Sequence, residues 1–317
     1  MVYLAYLIVA VAVVLLSNKA SEYVDLLDKK TKLSGAFIGG VMLSAVTSLP
    51  ELFTSVSSTL MLDEPGLCIG NILGSDLFNL TILAVLILVA FRPFSQVKVA
   101  KSHIAVSIFV SLIYMVLLLN MWGVLDFNIL TVNITSIIVV VLYIIGVKSM
   151  SGEDGSETAV EEEEVESSLT VKQIAIRFAL VSAGIIGLSI LITYITDIIA
   201  TKLNLGAGLA GALFLGIATS LPELASTIAL FRMRNFNIAI GNIVGSNIFN
   251  FLILSIVDVL YFGNGIYDYT DPKTVNLLVC GAIAMPVTLL MMKFKNKGMQ
   301  IVAPIIVIAC YAAFLII

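Results

Sequence analysis

The chain has 317 residues, of which 60% are hydrophobic and 12% charged, with a mean hydropathy of +1.09. Soluble domains carry about 25% charged residues, so composition excludes a soluble fold and indicates a polytopic helical membrane protein. The net charge of −4 hides a local excess: eight of the 21 acids fall within 153–166, and the other 13 face 17 Lys and Arg.

A membrane-crossing helix needs about 20 apolar residues. Runs of that kind predict ten helices, near 2–27, 34–61, 66–90, 100–120, 124–146, 170–201, 205–231, 236–261, 273–293 and 298–317. The first has no basic flank and no small-residue cleavage site, and reads as a retained helix rather than a signal peptide. Between the fifth and sixth lies a Gly/Ser/Glu-rich stretch without aromatics, which reads as a solvated linker. The predicted organisation is a first repeat over 1–147, an acidic linker over 148–169 and a second repeat over 170–317. Cys68, Cys280 and Cys310 lack paired spacing and indicate neither a disulfide framework nor a metal cluster.

Lys and Arg set the expected orientation. Fifteen of the 17 fall in alternate connections: Lys19, Lys29, Lys30 and Lys32; Arg92, Lys98 and Lys101; Lys148, Lys172 and Arg177; Arg232 and Arg234; Lys293, Lys295 and Lys297. Only Lys202 and Lys273 fall on the other side. The positive-inside rule then places the linker in the cytoplasm and both termini outside the cell membrane. Five helices per half is an odd number, so the second half enters the bilayer inverted. The predicted fold is an all-α polytopic membrane protein of ten transmembrane helices in two inverted five-helix repeats, an architecture of secondary transporters.

Two phrases occur once in each half. Thr47-Ser48-Leu49-Pro50-Glu51-Leu52 returns as Thr219-Ser220-Leu221-Pro222-Glu223-Leu224. About twenty residues on, Gly70-Asn71-Ile72-Leu73-Gly74-Ser75-Asp76-Leu77-Phe78-Asn79 returns as Gly241-Asn242-Ile243-Val244-Gly245-Ser246-Asn247-Ile248-Phe249-Asn250. On a helix, Ser44, Thr47, Ser48, Glu51, Thr54, Ser55 and Ser58 share one face, as do Thr219, Ser220, Glu223, Ser226 and Thr227. Pro50 and Pro222 offer no N–H, so each helix should bend there and free carbonyls near Val46 and Ala218. Gly70, Gly74, Gly241 and Gly245 form small-residue pairs that should let the third and eighth helices pack closely.

A carboxylate is costly in hydrocarbon and marks function there. Inversion brings Glu51 and Glu223 to the same depth, with Ser75, Ser246, Asn79 and Asn250 adding oxygens. Such a hard-oxygen set suits Ca²⁺ or Na⁺, whereas soft metals would want Cys or His. Without a cation, two adjacent buried carboxylates would share a proton. Asp76 lies about 100° around the helix from Ser75 and is either a third carboxylate at the rim or a partner for a neighbouring helix. Asp25, Glu22, Asp197 and Asp258 fall at predicted helix ends and read as interfacial, and His103, the lone histidine, as non-catalytic.

These phrases resemble the two alpha-repeats of the cation/calcium exchanger superfamily, in particular its prokaryotic sodium/calcium exchanger branch. Proton-coupled calcium exchangers of that superfamily carry a Gly-Asn-Ala-Val-Glu type phrase instead. The resemblance implies that Glu51 and Glu223 are ligands shared by Ca²⁺ and Na⁺, and that Thr47 and Thr219 contribute partly through the main chain. It implies that Ser48, Ser220, Ser75 and Ser246 line flanking sodium sites and that Asn79 and Asn250 sit at the centre. It also implies that the first and sixth helices slide as a bundle across the core. Two positions depart from the family pattern. Val46 and Ala218 replace glycines, which is expected to narrow the site or restrict the backbone. Asn250 stands where potassium-dependent relatives carry Asp, a charge that Asp76 would restore from the other half.

The sequence therefore predicts an antiporter of Ca²⁺ and Na⁺ in the plasma membrane, with those ions and the bilayer as its partners. It predicts no enzyme activity, no cofactor, no nucleic acid, and a monomer sufficient for transport. A Ca²⁺/H⁺ exchanger using the protonatable Glu51–Glu223 pair is the alternative.

Overall fold

The computed structural model describes residues 1–31, 44–150, 169–262, 265–267, 269–294 and 296–316. Most of the acidic stretch, 151–168, and the start of the second predicted helix lie outside the described residues. The helices are α1 (Val2–Thr31), α2 (Leu49–Leu60), α3 (Pro65–Val89), the short α4 (Phe91–Phe94), α5 (Lys101–Met121), α6 (Ile134–Met150) and α7 (Val171–Leu203). They continue as α8 (Ala207–Ala210), a π-helical stretch Gly211–Gly216, α9 (Ile217–Thr219), α10 (Leu221–Arg232), α11 (Phe236–Leu260), α12 (Pro272–Lys293) and α13 (Met299–Ile316).

Among the described residues seven helices are long and apolar enough to cross a membrane, and α8 to α10 make an eighth if their 46° bend lies within one span. The fifth predicted helix is shorter than expected. Instead of starting near 124, it starts at Ile134, behind a two-stranded hairpin of β1 (Asn128–Ile129) and β2 (Val132–Asn133). The hairpin turns through Leu130 at φ 61°. Polar side chains hold it. Asn133 N–H donates to Asp258 Oδ2 at 2.9 Å, and Asn133 Oδ1 accepts from Thr135 N at 2.9 Å and Asn120 Nδ2 at 3.2 Å. Asp258 is thus buried beneath the hairpin and is not at an open interface.

Around the repeated phrases the two halves share one order of elements, a break at a serine, a short helix and a long helix. Ser48 (φ −88°, ψ 10°) and Ser220 (φ −89°, ψ 5°) break their helices with the same backbone, and each precedes a 12-residue helix with Pro near its start. Next come 25-residue helices, α3 and α11, which are the most buried. Lipid tails are as apolar as leucine, so these helices associate through close packing and hydrogen bonds. Glycine allows the closest contact: a Cβ on Gly70 would lie 2.3 Å from the Gly208 carbonyl oxygen, and one on Gly74 2.5 Å from Ala212 Cα. The second pair behaves differently, since Gly241 abuts the His103 ring and Gly245 the Ser44 side chain.

Helices α1 and α7 pack along one another outside this centre. Val46 joins an apolar cluster with Ala20 and Ile185, and Ala218 one with Val9, Ala10 and Ile192. Their side chains therefore pack against the α1–α7 pair and do not narrow the site, contrary to the sequence expectation. Thr170 and Gln173 form a reciprocal capping box at the start of α7. Asp271 caps α12 and also accepts from Gly208 N at 3.2 Å, tying α12 to the start of α8.

Candidate functional site

The helix breaks at Ser48 and Ser220 put both repeated phrases at the centre, against the middle of α3 and α11. Pro50 and Pro222 have no N–H to return to the carbonyls of Val46 and Ala218. The π-helical stretch before α9 loosens the second half in the same region, a distortion common at functional sites. All eleven side chains singled out from the sequence are at most 1% exposed: Thr47, Ser48, Glu51, Ser75, Asp76, Asn79, Thr219, Ser220, Glu223, Ser246 and Asn250. Water therefore does not solvate these carboxylates, and their oxygens must find partners inside the protein.

Each glutamate is met by hydroxyls from both halves or from its neighbouring helix. Ser220 Oγ donates to Glu51 Oε1 at 3.2 Å, and the Thr219 hydroxyl faces the same carboxylate. Ser246 Oγ donates to Glu223 Oε1 at 3.4 Å, and Thr47 faces it from the first half. The two glutamates lie within electrostatic reach of one another, and Asp76 within reach of Glu51.

Beside them sits a cross-paired quartet from α3 and α11. Asn250 Nδ2 donates to Asp76 Oδ1 at 2.9 Å, and Asn79 Nδ2 to Asn247 Oδ1 at 3.0 Å. Asn247 Nδ2 adds a bond to the Asp76 carbonyl at 3.2 Å. Asp76 is thus drawn into the cluster by Asn250 rather than turned outward. Of the flanking serines, Ser75 Oγ donates to the Gly216 carbonyl at 3.2 Å, and Ser48 Oγ is buried without a partner.

The acceptor oxygens outnumber the donors. Glu51 Oε2, Glu223 Oε2, Asp76 Oδ2, Asn79 Oδ1 and Asn250 Oδ1 are all buried without a hydrogen-bond partner. Buried polar atoms are almost always satisfied, so five orphaned oxygens in one cluster require an explanation. Among the described residues no three His, Cys, Asp or Glu side chains converge as a metal-binding group, so a cation here would rely on neutral oxygens too.

Sequence reasoning missed Asn71 and Asn242. Asn71 Nδ2 lies within hydrogen-bond distance of Thr54 Oγ1 (2.9 Å), Ser55 Oγ (2.9 Å) and the Glu51 carbonyl (3.3 Å), while its Oδ1 faces Thr219 Oγ1 at 3.3 Å. Asn242 Nδ2 likewise reaches Ser226 Oγ (3.0 Å) and Thr227 Oγ1 (3.3 Å). The signal was present, since both asparagines recur at the same place in the second phrase.

A family model described as "Sodium/calcium exchanger protein" matches residues 1–149 and 174–317, nearly the whole chain. The chain belongs to the sodium/calcium exchanger family. Exchangers are transporters, and the apolar helices agree with a multi-pass membrane protein of that family. The inner membrane protein YrbG of Escherichia coli is 28% identical over 222 residues, covering 68% of this chain but just under two thirds (66%) of that protein. The fold is that of known exchanger structures. The H⁺/Ca²⁺ exchanger CAX superposes with a TM-score of 0.69 at 14% identity, over 99% of this chain and 87% of that one. The sodium-calcium exchanger NCX_Mj, soaked with Na⁺ and without Ca²⁺, gives 0.61 at 18% identity, over 98% of this chain and 99% of that one.

Proposed function

We propose that this exchanger is a secondary-active antiporter of Ca²⁺ and Na⁺, working by alternating access at a site shared by its two halves. The observation that carries this reading is the set of buried oxygens without donors around Glu51 and Glu223. A hard cation replaces the missing donors, and Ca²⁺ takes six to eight oxygens in flexible geometry. One Ca²⁺ or two Na⁺ balance the two glutamates. Emptied, the site leaves buried charge unpaired, which is strongly unfavourable. The carrier therefore crosses when loaded, and an inward sodium gradient drives calcium out. Glu51 and Glu223 are the central ligands, with Thr47, Thr219, Ser48, Ser220, Ser75, Ser246, Asn79, Asn250 and Asp76 around them.

The corresponding topology is ten spans. To the eight above it adds α6, which is short, and the segment 34–61 containing α2, arranged as inverted five-helix repeats about a cytoplasmic linker. The bias of Lys and Arg supports termini outside the plasma membrane. The same free carboxylate oxygens, Glu51 Oε2 and Glu223 Oε2, could equally hold a proton, which makes Ca²⁺/H⁺ exchange the second reading.

Flux of ⁴⁵Ca²⁺ into proteoliposomes under an imposed Na⁺, K⁺ or pH gradient separates the two. Uptake driven by outward Na⁺ alone is expected. Uptake that follows only the pH gradient replaces Na⁺ by H⁺, and no uptake under any gradient removes calcium exchange altogether.

A further inference from the structure

The two halves match in backbone yet differ in which hydrogen bonds they make. In the first half, Asn71 braces the hydroxyl pair Thr54–Ser55 and reaches the Glu51 carbonyl at 3.3 Å. Its own Oδ1 lies 3.3 Å from the Thr219 hydroxyl of the second half. The mirror position, Asn242, braces Ser226–Thr227 at 3.0 and 3.3 Å, but its Oδ1 is buried without a partner. The donor that would mirror Thr219 is Thr47. Thr219 Oγ1 is shared between the Leu215 carbonyl at 2.9 Å and Asn71 Oδ1 at 3.3 Å, whereas Thr47 donates to the Ser44 carbonyl at 3.1 Å and leaves Asn242 Oδ1 unpartnered. The serines differ as well. Ser220 bonds Glu51 while Ser48 has no partner, and Ser246 bonds Glu223 while Ser75 turns to Gly216.

A duplicated backbone with one arm joined and the other open is what a two-state element looks like when seen in one of its states. Exchanging the roles of the halves yields a second set with the same number of bonds: Thr47 to Asn242, Ser48 to Glu223, and Asn71 with an open Oδ1. We propose that Asn71 and Asn242 are positioning residues that alternate. In the conformation described here Asn71 links Thr219 to the Glu51 segment, and in the oppositely facing conformation Asn242 links Thr47 to the Glu223 segment. Neither asparagine needs to touch the transported ion. Each holds the backbone that carries one glutamate against the threonine of the other half, so the pair selects which side the site faces. The orphaned Asn242 Oδ1 is the vacant acceptor of the second state.

This inference rests on the alternating-access reading, and one experiment separates the two. In a background without native cysteines, Ser58→Cys on α2 and Leu230→Cys on α10 are labelled with a membrane-impermeant thiol reagent, from outside and inside respectively, alongside flux in the same vesicles. Asn71→Ala weakens the present conformation and Asn242→Ala its opposite. The ratio of the two labelling rates should therefore shift in opposite senses, by about two- to tenfold each, the effect of losing one buried hydrogen bond. Should the asparagine variants express poorly, Thr219→Val and Thr47→Val remove one hydroxyl at constant shape and should give the same opposed pair. Shifts in the same sense, or none, in vesicles where the parent protein exchanges normally would overturn the alternation. Failure of the parent protein to exchange would instead count against the proposed function.

Discussion

Helices α2 and α10 begin alike and end as opposites. Both leave a serine break, place Pro then Glu in the first turn, and carry a hydroxyl pair one turn later. Beyond that point α2 continues Ser57-Ser58-Thr59 where α10 has Ala229-Leu230-Phe231. Phe231 packs edge-on against Phe236, with ring centroids 5.1 Å apart, and Phe236 against Phe94 at 5.9 Å. The turns that follow both use a left-handed residue, Asp63 (φ 58°) and Arg234 (φ 62°). An acid thus stands in one half where a base stands in the other. The main chain keeps the symmetry of the repeat, and the side chains break it so that one end is hydroxyl-lined and acidic and the other aromatic and basic. Sidedness in this molecule is written on side chains over a shared backbone.

The comparison can be broken most severely where the halves are alike. Glu51→Gln and Glu223→Gln should each reduce cation exchange in proteoliposomes by about 100-fold or more, because the proposed shared site then loses one of its two carboxylates. Retention of substantial flux by either one would show the halves to be unequal at the site itself. The glycines come next. Gly70→Ala drives a methyl group into the Gly208 backbone and should cost about 2–3 kcal/mol, read as a lower unfolding temperature in detergent. Gly241→Ala meets the side chain of His103, which can move, and should cost about 1 kcal/mol.

The C-terminal end of α2 gives a subtler test. Thr59 Oγ1 is buried without a partner, so Thr59→Val should leave stability unchanged or raise it by up to about 1 kcal/mol. A drop in exchange rate without a drop in stability would show that passing cations use the hydroxyl. The smallest effect concerns Glu64, at the acidic turn. Burial, then the charges of Asp197 and Asp63, raise its pKa above the ordinary glutamate value. The folded state therefore holds this proton more tightly than the unfolded one, and ionised Glu64 detracts from stability at neutral pH. Glu64→Gln should stabilise slightly near neutrality, with the gain fading as pH falls through the pKa of folded Glu64. A gain that grew on acidification would contradict this assignment.

Much of the site was legible from repetition. A phrase that appears twice in hydrocarbon, with a carboxylate each time, has few uses, and helical spacing aligned its hydroxyls with the glutamates. Asp76 was readable only as two alternatives, because its partner Asn250 lies 174 positions away. Val46 was open to a better reading: at about 100° per residue it points well away from Glu51, towards the helices it is found against. The hairpin at 128–133 was hidden by an apolar run with neither glycine nor proline between 124 and 145, and only the distant Asp258 reveals why the chain turns there. Asn71 and Asn242 recur in both phrases, but nothing in the sequence shows which hydroxyls they brace. The difference between their two bonding patterns exists only in three dimensions.

The backbone contact between Gly70 and Gly208 also bears on biosynthesis. A chain made from its N-terminus inserts α3 long before α8 exists, so a strip of bare helix at Gly66, Gly70 and Gly74 waits for a surface that has not yet been translated. Asp76 waits too, since its hydrogen-bonding partner Asn250 comes later still. The first half is therefore an unfinished face rather than a small membrane protein, and quality control in the bilayer should treat it as one. Two polypeptides divided within 151–168 should each be short-lived alone and should rescue one another when made together.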